Sequence, residues 1–168
     1  TAKVDGCNGR FVHSNGRFYV GSHKVVRSES KNWLGKLVER ILRRFTGKKD
    51  DVPSDIWHRV AEKYDLEEKL SKFPEIVVYG EVYGKNLQVR GGKPMSYDSP
   101  DEASFRVFDA YDKRNHSWLS YNELQEFCSR LGLNTVVELA TGTWPFDVDH
   151  SVGPDPLNPN HIREGYVV

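Results

Sequence analysis

The chain predicts a mixed α/β (α+β) domain, and three observations carry that prediction. Strand-type and helix-type runs alternate along its 168 residues. The residues are 38% hydrophobic and 12% aromatic, which supports a packed core and argues against general disorder. No apolar run approaches the roughly 18 residues that a membrane helix needs. The length suits one domain with one core.

The elements follow in order. Gly9-Arg10-Phe11-Val12-His13 and Arg17-Phe18-Tyr19-Val20 flank Ser14-Asn15-Gly16, and Asn-Gly is the strongest short hairpin signal. Residues 31–45 predict a helix, because Trp33, Leu34, Leu37, Val38, Ile41, Leu42 and Phe45 form one apolar stripe. A second helix starts near Ser54 or Asp55, with Ile56, Trp57, Val60, Ala61 and Tyr64 on its inner face. The run from Ile76 to Gly84 reads as a buried strand that carries one carboxylate, Glu81. A loop rich in Gly, Pro, Ser and Asp occupies roughly 90–103, and the run from Phe105 to Tyr111 is another strand. Ser120 and Glu123 form a capping box for a helix with Leu124, Phe127, Cys128 and Leu131 inside and Gly132 as C-cap. Residues 151–161 read as loop, and residues 163–168 as a final strand.

The formal net charge is zero, from 24 basic and 24 acidic residues. The balance hides an asymmetry. Residues 1–49 hold 12 Lys/Arg and three acids, a surplus of +9, and the remainder holds 12 basic and 21 acidic residues, a deficit of −9. One surface suits a polyanion and the other a cation, although two solvated faces would show the same numbers. On the helix at 31–45, Lys36, Arg40, Arg43 and Arg44 lie opposite the apolar stripe. They are candidate contacts to a nucleic-acid backbone, with a plain solvated face as the alternative. The two cysteines, Cys7 and Cys128, have no close cysteine partners. A disulfide framework and a zinc site are both disfavoured, and a cytoplasmic or other reducing compartment fits. Thr1-Ala2-Lys3-Val4-Asp5 does not read as a signal peptide. The histidines show no ligand spacing and read as surface residues.

Four segments carry the chemistry. They are Lys3-Val4-Asp5-Gly6, Tyr79-Gly80-Glu81-Val82-Tyr83-Gly84, Phe105-Arg106-Val107-Phe108-Asp109 and Arg163-Glu164-Gly165-Tyr166-Val167. Each alone is unspecific. A terminal lysine is commonly a surface residue, and aromatics on a strand are more often core, which is the reading for Phe105. Glu81 stands out by physics, since a carboxylate on an apolar strand is costly unless it is paired or faces a polar site. In order and spacing, the four segments resemble motifs I, III, IIIa and IV of the covalent nucleotidyltransferase superfamily. Cys7-Asn8-Gly9-Arg10-Phe11 after the first motif and the Arg-Glu-Gly form of the last resemble RNA ligases of the nick-sealing branch.

The resemblance implies a nucleotidyltransferase (adenylyltransferase) core with antiparallel sheets around an ATP pocket. It implies an ATP-dependent RNA ligase that seals 5′-phosphate and 3′-hydroxyl ends through a lysyl-AMP intermediate, with Mg2+ or Mn2+. Lys3 would attack the α-phosphate of ATP, a reaction that needs its neutral amine. Asp5 and Glu164 would act beside it. Gly6, Lys24, Glu81 (to the ribose), Phe108 (stacked on adenine) and Asp109 would hold the nucleotide. Glu164 and Asp109 would hold the metal, which neutralises phosphate charge. Asn8 would serve the later, RNA-dependent steps. The partners implied are RNA ends or a nicked duplex, with no membrane, and the chain is expected to act as a monomer. A viral or phage source is compatible with the likeness.

The pattern also departs from the family. Ala2 stands where many RNA ligases have glutamate. Gly21-Ser22-His23-Lys24 replaces a Gly-Ser-Arg, which leaves Lys24 or His23 as the substitute, and lysine lacks the arginine fork. Motif V, a later Lys-x-Lys strand, is missing, as is the strand before motif I. The expectation is one nucleotidyltransferase domain over 1–168, trimmed at both ends. A DNA ligase, a capping guanylyltransferase and a catalytically dead nucleotide- or RNA-binding fragment are the alternatives.

Overall fold

The computed structural model describes residues 1–22, 26–29, 56–84, 87, 89–90, 93–94, 97, 103–142, 153–163 and 165–167. The predicted helix at 31–45 lies outside them. In chain order the elements are β1 (Cys7–Ser14), β2 (Arg17–Gly21), β3 (Val26–Glu29), α1 (Ile56–Lys63), α2 (Leu66–Ser71), β4 (Ile76–Tyr83), β5 (Val89–Arg90), β6 (Lys93–Pro94), β7 (Ser104–Asp112), β8 (Ser117–Trp118), α3 (Tyr121–Leu131), β9 (Pro154–Asp155) and β10 (Asn158–Ile162). Six strands form one sheet in the order β3-β2-β1-β4-β7-β8, with antiparallel pairing throughout.

The β1–β2 hairpin closes on Asn15 (φ 51°) and Gly16 (φ 72°), the two left-handed residues that a type I′ turn demands. The tip is pinned by Glu75, the residue just before β4. Glu75 accepts hydrogen bonds from the Ser14 hydroxyl (2.8 Å), the Asn15 amide (3.1 Å) and Lys113 Nζ (2.7 Å).

The three described helices cover one face of the sheet. Phe11, Val78, Val82, Phe105, Val107 and Ala110 from the strands meet Val60, Leu66, Leu70, Leu124, Phe127 and Cys128 from the helices in one buried cluster. Phe105 packs edge-on against Phe11, with ring centroids 5.0 Å apart. An antiparallel sheet covered on one side leaves its other face to polar residues. The α3 capping box forms as the sequence predicts, since the Glu123 carboxylate accepts from the Ser120 amide at 2.7 Å and Gly132 ends the helix at φ 61°.

The second helix has the expected inner face, with Val60 and Ala61 buried and Ile56, Trp57 and Tyr64 packed on the core; its expected start at Ser54 or Asp55 lies outside the described residues. After Lys63, Asp65 adopts φ 51° and a further short helix, α2, begins. Three expectations change. Residues 151–161 are not all loop, because β9 and β10 form a small hairpin. Its turn is held by the Leu157 amide donating to Asp155 Oδ1 at 2.7 Å, an Asx turn that a Pro/Asn-rich composition conceals. The final segment makes an isolated bridge, Ala2 with Tyr166, rather than a full strand. His13 also departs from the surface reading, since it is half-buried with a buried, unpaired Nδ1.

Candidate nucleotide-binding site

The site is built on the sheet face that the helices leave open. Residues directly opposite each other in register share a face, so β1, β4 and β7 present rows across three strands. One row is Asn8, Glu81 and Arg106, and the next is Arg10, Tyr79 and Asp109. Glu81 is thus not a buried carboxylate in the apolar layer. Strand alternation turns it away from the core that Val78, Gly80 and Val82 face.

Between these rows the β4–β7 register slips. Tyr79 pairs with Asp109 while Gly80 pairs with Val107, which leaves Phe108 as the extra residue of a β-bulge. Burial along β7 shows the consequence. Val107 and Ala110 are buried, whereas Phe108 and Asp109 between them are not, and Phe108 is 38% exposed. A bulge re-aims side chains in this way next to binding sites. Phe105 goes into the core at 1% exposure, and Phe108 stays outside it.

Above the Glu81 end, the N-terminal segment crosses the open face. A Cβ on Gly6 would lie 2.8 Å from Glu81 Cγ and would strike the Val82 carbonyl, so only glycine permits this approach. Val4 packs with Tyr83, Tyr97 and Leu157 in a second buried cluster, and the Asp5 amide donates to the Tyr97 hydroxyl at 2.9 Å. The strip at residues 1–3 is fixed by backbone bonds. The Ala2 amide donates to Val137 O (2.7 Å) and the Lys3 amide to Gly165 O (3.0 Å). Val136 in turn donates to Val107 O on β7 (2.9 Å). Segments one, three and four are therefore stitched together, with the Lys3 side chain exposed at the seam.

Two neighbours record the field. Burial pushes the Cys7 thiol up, and the charges of Glu81 and Asp5 push it further, so the local potential is negative. Burial raises the Asp109 carboxyl against the lowering effect of its bond from the Ala110 amide (2.9 Å). A nearby cation reverses both effects. Asn8 Oδ1 is buried without a hydrogen-bond partner, although its backbone carbonyl accepts from Trp57 Nε1 at 3.0 Å. An orphaned acceptor, an exposed ring and a negative field fit a purine nucleotide carried with a divalent cation. No group of three His, Cys, Asp or Glu side chains able to hold a metal occurs among the described residues.

Of the predicted residues, Lys3, Asp5, Gly6, Asn8, Glu81, Phe108 and Asp109 lie on this open face or the segment that crosses it. Lys24, Arg40, Arg43, Arg44 and Glu164 lie outside the described residues. Sequence reasoning passed over Arg106, whose Nε donates to the Tyr83 hydroxyl (3.1 Å) and whose Nη1 donates to Thr135 O (3.0 Å). It also passed over Tyr97. Arg106 was findable, since two-residue periodicity puts it on the face of Glu81. Tyr97 sits in a loop without any period.

A family profile described as RNA ligase matches residues 1–168. The chain is similar in structure to an RNA ligase of Naegleria gruberi. The match to a variant solved with AMP and manganese covers 98% of this chain and 44% of that one, at 18% identity and TM-score 0.73. The match to that ligase with pyrophosphate covers 98% and 43%, again at 18% identity and TM-score 0.73. A further variant, with ATP and manganese, gives 98%, 44%, 18% and 0.73. The chain thus spans less than half the length of these ligase chains. No curated protein matches it. Matched to the family profile from its first residue to its last, this chain belongs to the RNA ligase family.

Proposed function

We propose that residues 1–168 are a nucleotidyltransferase domain, one part of a longer ATP-dependent RNA ligase that works through lysyl-AMP. The supporting observation is the backbone stitch from Val107 through residues 136–137 to Ala2 and from Lys3 to Gly165, which gathers three of the four segments around one exposed lysine. The family match favours RNA ends over DNA ends or a cap.

In this reading, Lys3 Nζ forms a bond to the α-phosphorus of ATP while the bond to pyrophosphate breaks. AMP then passes to an RNA 5′-phosphate, and a 3′-hydroxyl displaces it to make the phosphodiester. Phe108 stacks on adenine, which needs no particular purine edge. Glu81 faces the ribose. Asn8 Oδ1 takes a donor from the ligand, which relieves a buried unsatisfied acceptor. Asp5 and Glu81 put negative charge beside this segment, where each pushes the Cys7 thiol up. Glu164 and Asp109 would hold Mg2+ or Mn2+, which would supply the compensating positive charge. Arg40, Arg43 and Arg44 would track the RNA backbone, and Lys24 would reach the nucleotide. RNA repair by a monomer in a reducing compartment is consistent with two unpaired cysteines, Cys7 and Cys128. No described helix is long and apolar enough to cross a membrane.

The test is incubation with ATP labelled at the α-phosphate and a divalent metal. Label that remains on the protein after denaturation is the expected result. A chain that binds ATP and never becomes labelled would contradict the proposal and favour a nucleotide-binding fragment.

A further inference from the structure

The open face of the sheet continues past the proposed nucleotide site toward the β1–β2 hairpin, and there it forms a groove of about 360 Å³. Arg10, Tyr19, Tyr79 and Lys113 are among its lining residues. The two cations differ. Lys113 is bound to Glu75 at 2.7 Å and to the Ser14 hydroxyl at 3.0 Å, so its charge is already matched. Arg10 is a half-buried residue whose guanidinium makes no hydrogen bond or ion pair among the described residues. An unmatched guanidinium on a groove wall is an anion seat, and its planar fork suits a phosphate.

The groove also has an aromatic wall that runs out to solvent. The Tyr79 ring meets Trp118 with centroids 5.4 Å apart, and Tyr111 meets Trp118 at 5.1 Å. Tyr111 and Trp118 are register partners on β7 and β8, so they share the face of Tyr79. Trp118 is 55% exposed, an unusual position for the largest apolar side chain. Supported by two rings yet open to water, it forms a platform on which a base can stack. A guanidinium for phosphate beside an aromatic platform for bases is the combination that binds single-stranded nucleic acid. A paired duplex offers its bases to such a platform only at an end.

From these observations we infer that the groove between the β1–β2 hairpin and β4 is the seat of a single RNA strand, with Arg10 on a backbone phosphate and Trp118, backed by Tyr79 and Tyr111, under a base. This rests on the proposed ligase reading for the nature of the polymer. It adds where the strand lies: one residue row beyond Asn8 and Glu81, on the Arg10–Tyr79 row that ends at Asp109, beside the nucleotide site.

The test measures binding of a fluorescent single-stranded RNA dodecamer to the chain without ATP, across a salt series. Arg10→Gln should weaken binding and lower the slope of log affinity against log salt by about 0.7, the value of one single-strand phosphate contact. Trp118→Ala should weaken binding by about 5-fold to 100-fold with the slope unchanged, because stacking carries no charge. Both side chains stand outside the core, and thermal melts verify that each variant folds. Unchanged affinity and slope in Arg10→Gln, with unchanged affinity in Trp118→Ala, would overturn the assignment. Equal losses for blunt duplex RNA would also overturn it, since the platform would then not be reading unpaired bases. Lysyl-AMP formation is measured in parallel. Its loss in Arg10→Gln together with RNA binding would return Arg10 to the nucleotide site. Its absence from the unaltered chain would count against the proposed ligase function and leave the RNA-binding result standing on its own.

Discussion

Strands β1, β4 and β7 carry two different proteins on their two faces. Toward the helices they present Phe11, Val78, Phe105, Val107 and Ala110, each at 0–1% exposure. Away from the helices they present Asn8, Arg10, Tyr79, Glu81, Arg106 and Asp109, a face of amides, charges and hydroxyls. The same backbone hydrogen bonds serve both, and strand alternation, reset once by the β7 bulge at Phe108, decides which side a group joins. The faces differ in what they ask of a side chain. The helix face asks for volume and shape, so its residues contribute stability. The open face asks for chemistry, and it holds an acceptor with no partner, Asn8 Oδ1, and two side chains displaced from alternation by a bulge.

Two phenylalanines three residues apart make the sharpest contrast. Phe105→Ala should cost about 3–5 kcal/mol of unfolding free energy, the usual loss for a buried phenylalanine, read by urea or thermal unfolding. Phe108→Ala should change stability far less and weaken ATP binding by about 1–3 kcal/mol, read by titration calorimetry. Comparable loss of stability in both variants, with ATP affinity intact in Phe108→Ala, would erase the distinction between the faces. Phe108→Trp should retain most of the affinity, since it keeps an aromatic face.

A smaller effect concerns the hairpin tip, where neither face is in play. The Glu75 carboxyl is lowered from its ordinary 4.5 to about 2, first by the hydrogen bond from Lys113 and then by that from Ser14. Its folded value lies below its unfolded one. The stabilisation is therefore full above about pH 4.5 and is lost as pH falls toward about 2. Lys113 is 43% exposed and Glu75 24%, so solvent screening holds the loss to about 1 kcal/mol or less. Glu75→Gln should flatten the acid limb of the stability profile, measured as the unfolding midpoint against pH. An identical acid limb in the variant would show that other carboxyls carry it.

Much of this arrangement was legible in the residues. The Asn15-Gly16 turn, the strand around Glu81 and the Ser120–Glu123 box each have a local chemical signature, and local signatures survive folding. The assignment of Phe105 to the core followed from ordinary strand behaviour. What was not legible has no local signature. A bulge is a slip of one residue between strands far apart in sequence, and nothing in Val107-Phe108-Asp109 announces it. The bond from the Ser14 hydroxyl to Glu75 joins residues 61 positions apart. Asp65 ends a helix by taking a left-handed conformation that aspartate only occasionally adopts. For the site, order and spacing of motifs found the segments. The stitch between Lys3 and Gly165 is a backbone contact that side-chain identity does not encode.

The central claim is that the exposed lysine at the seam of these segments is the nucleophile. After incubation with ATP and manganese, proteolysis and mass spectrometry should find AMP on the peptide that contains Lys3, joined through its side-chain nitrogen. Lys3→Ala should yield no such adduct while keeping the unaltered thermal transition. AMP found instead on another lysine, or an undiminished adduct in Lys3→Ala, would contradict the account.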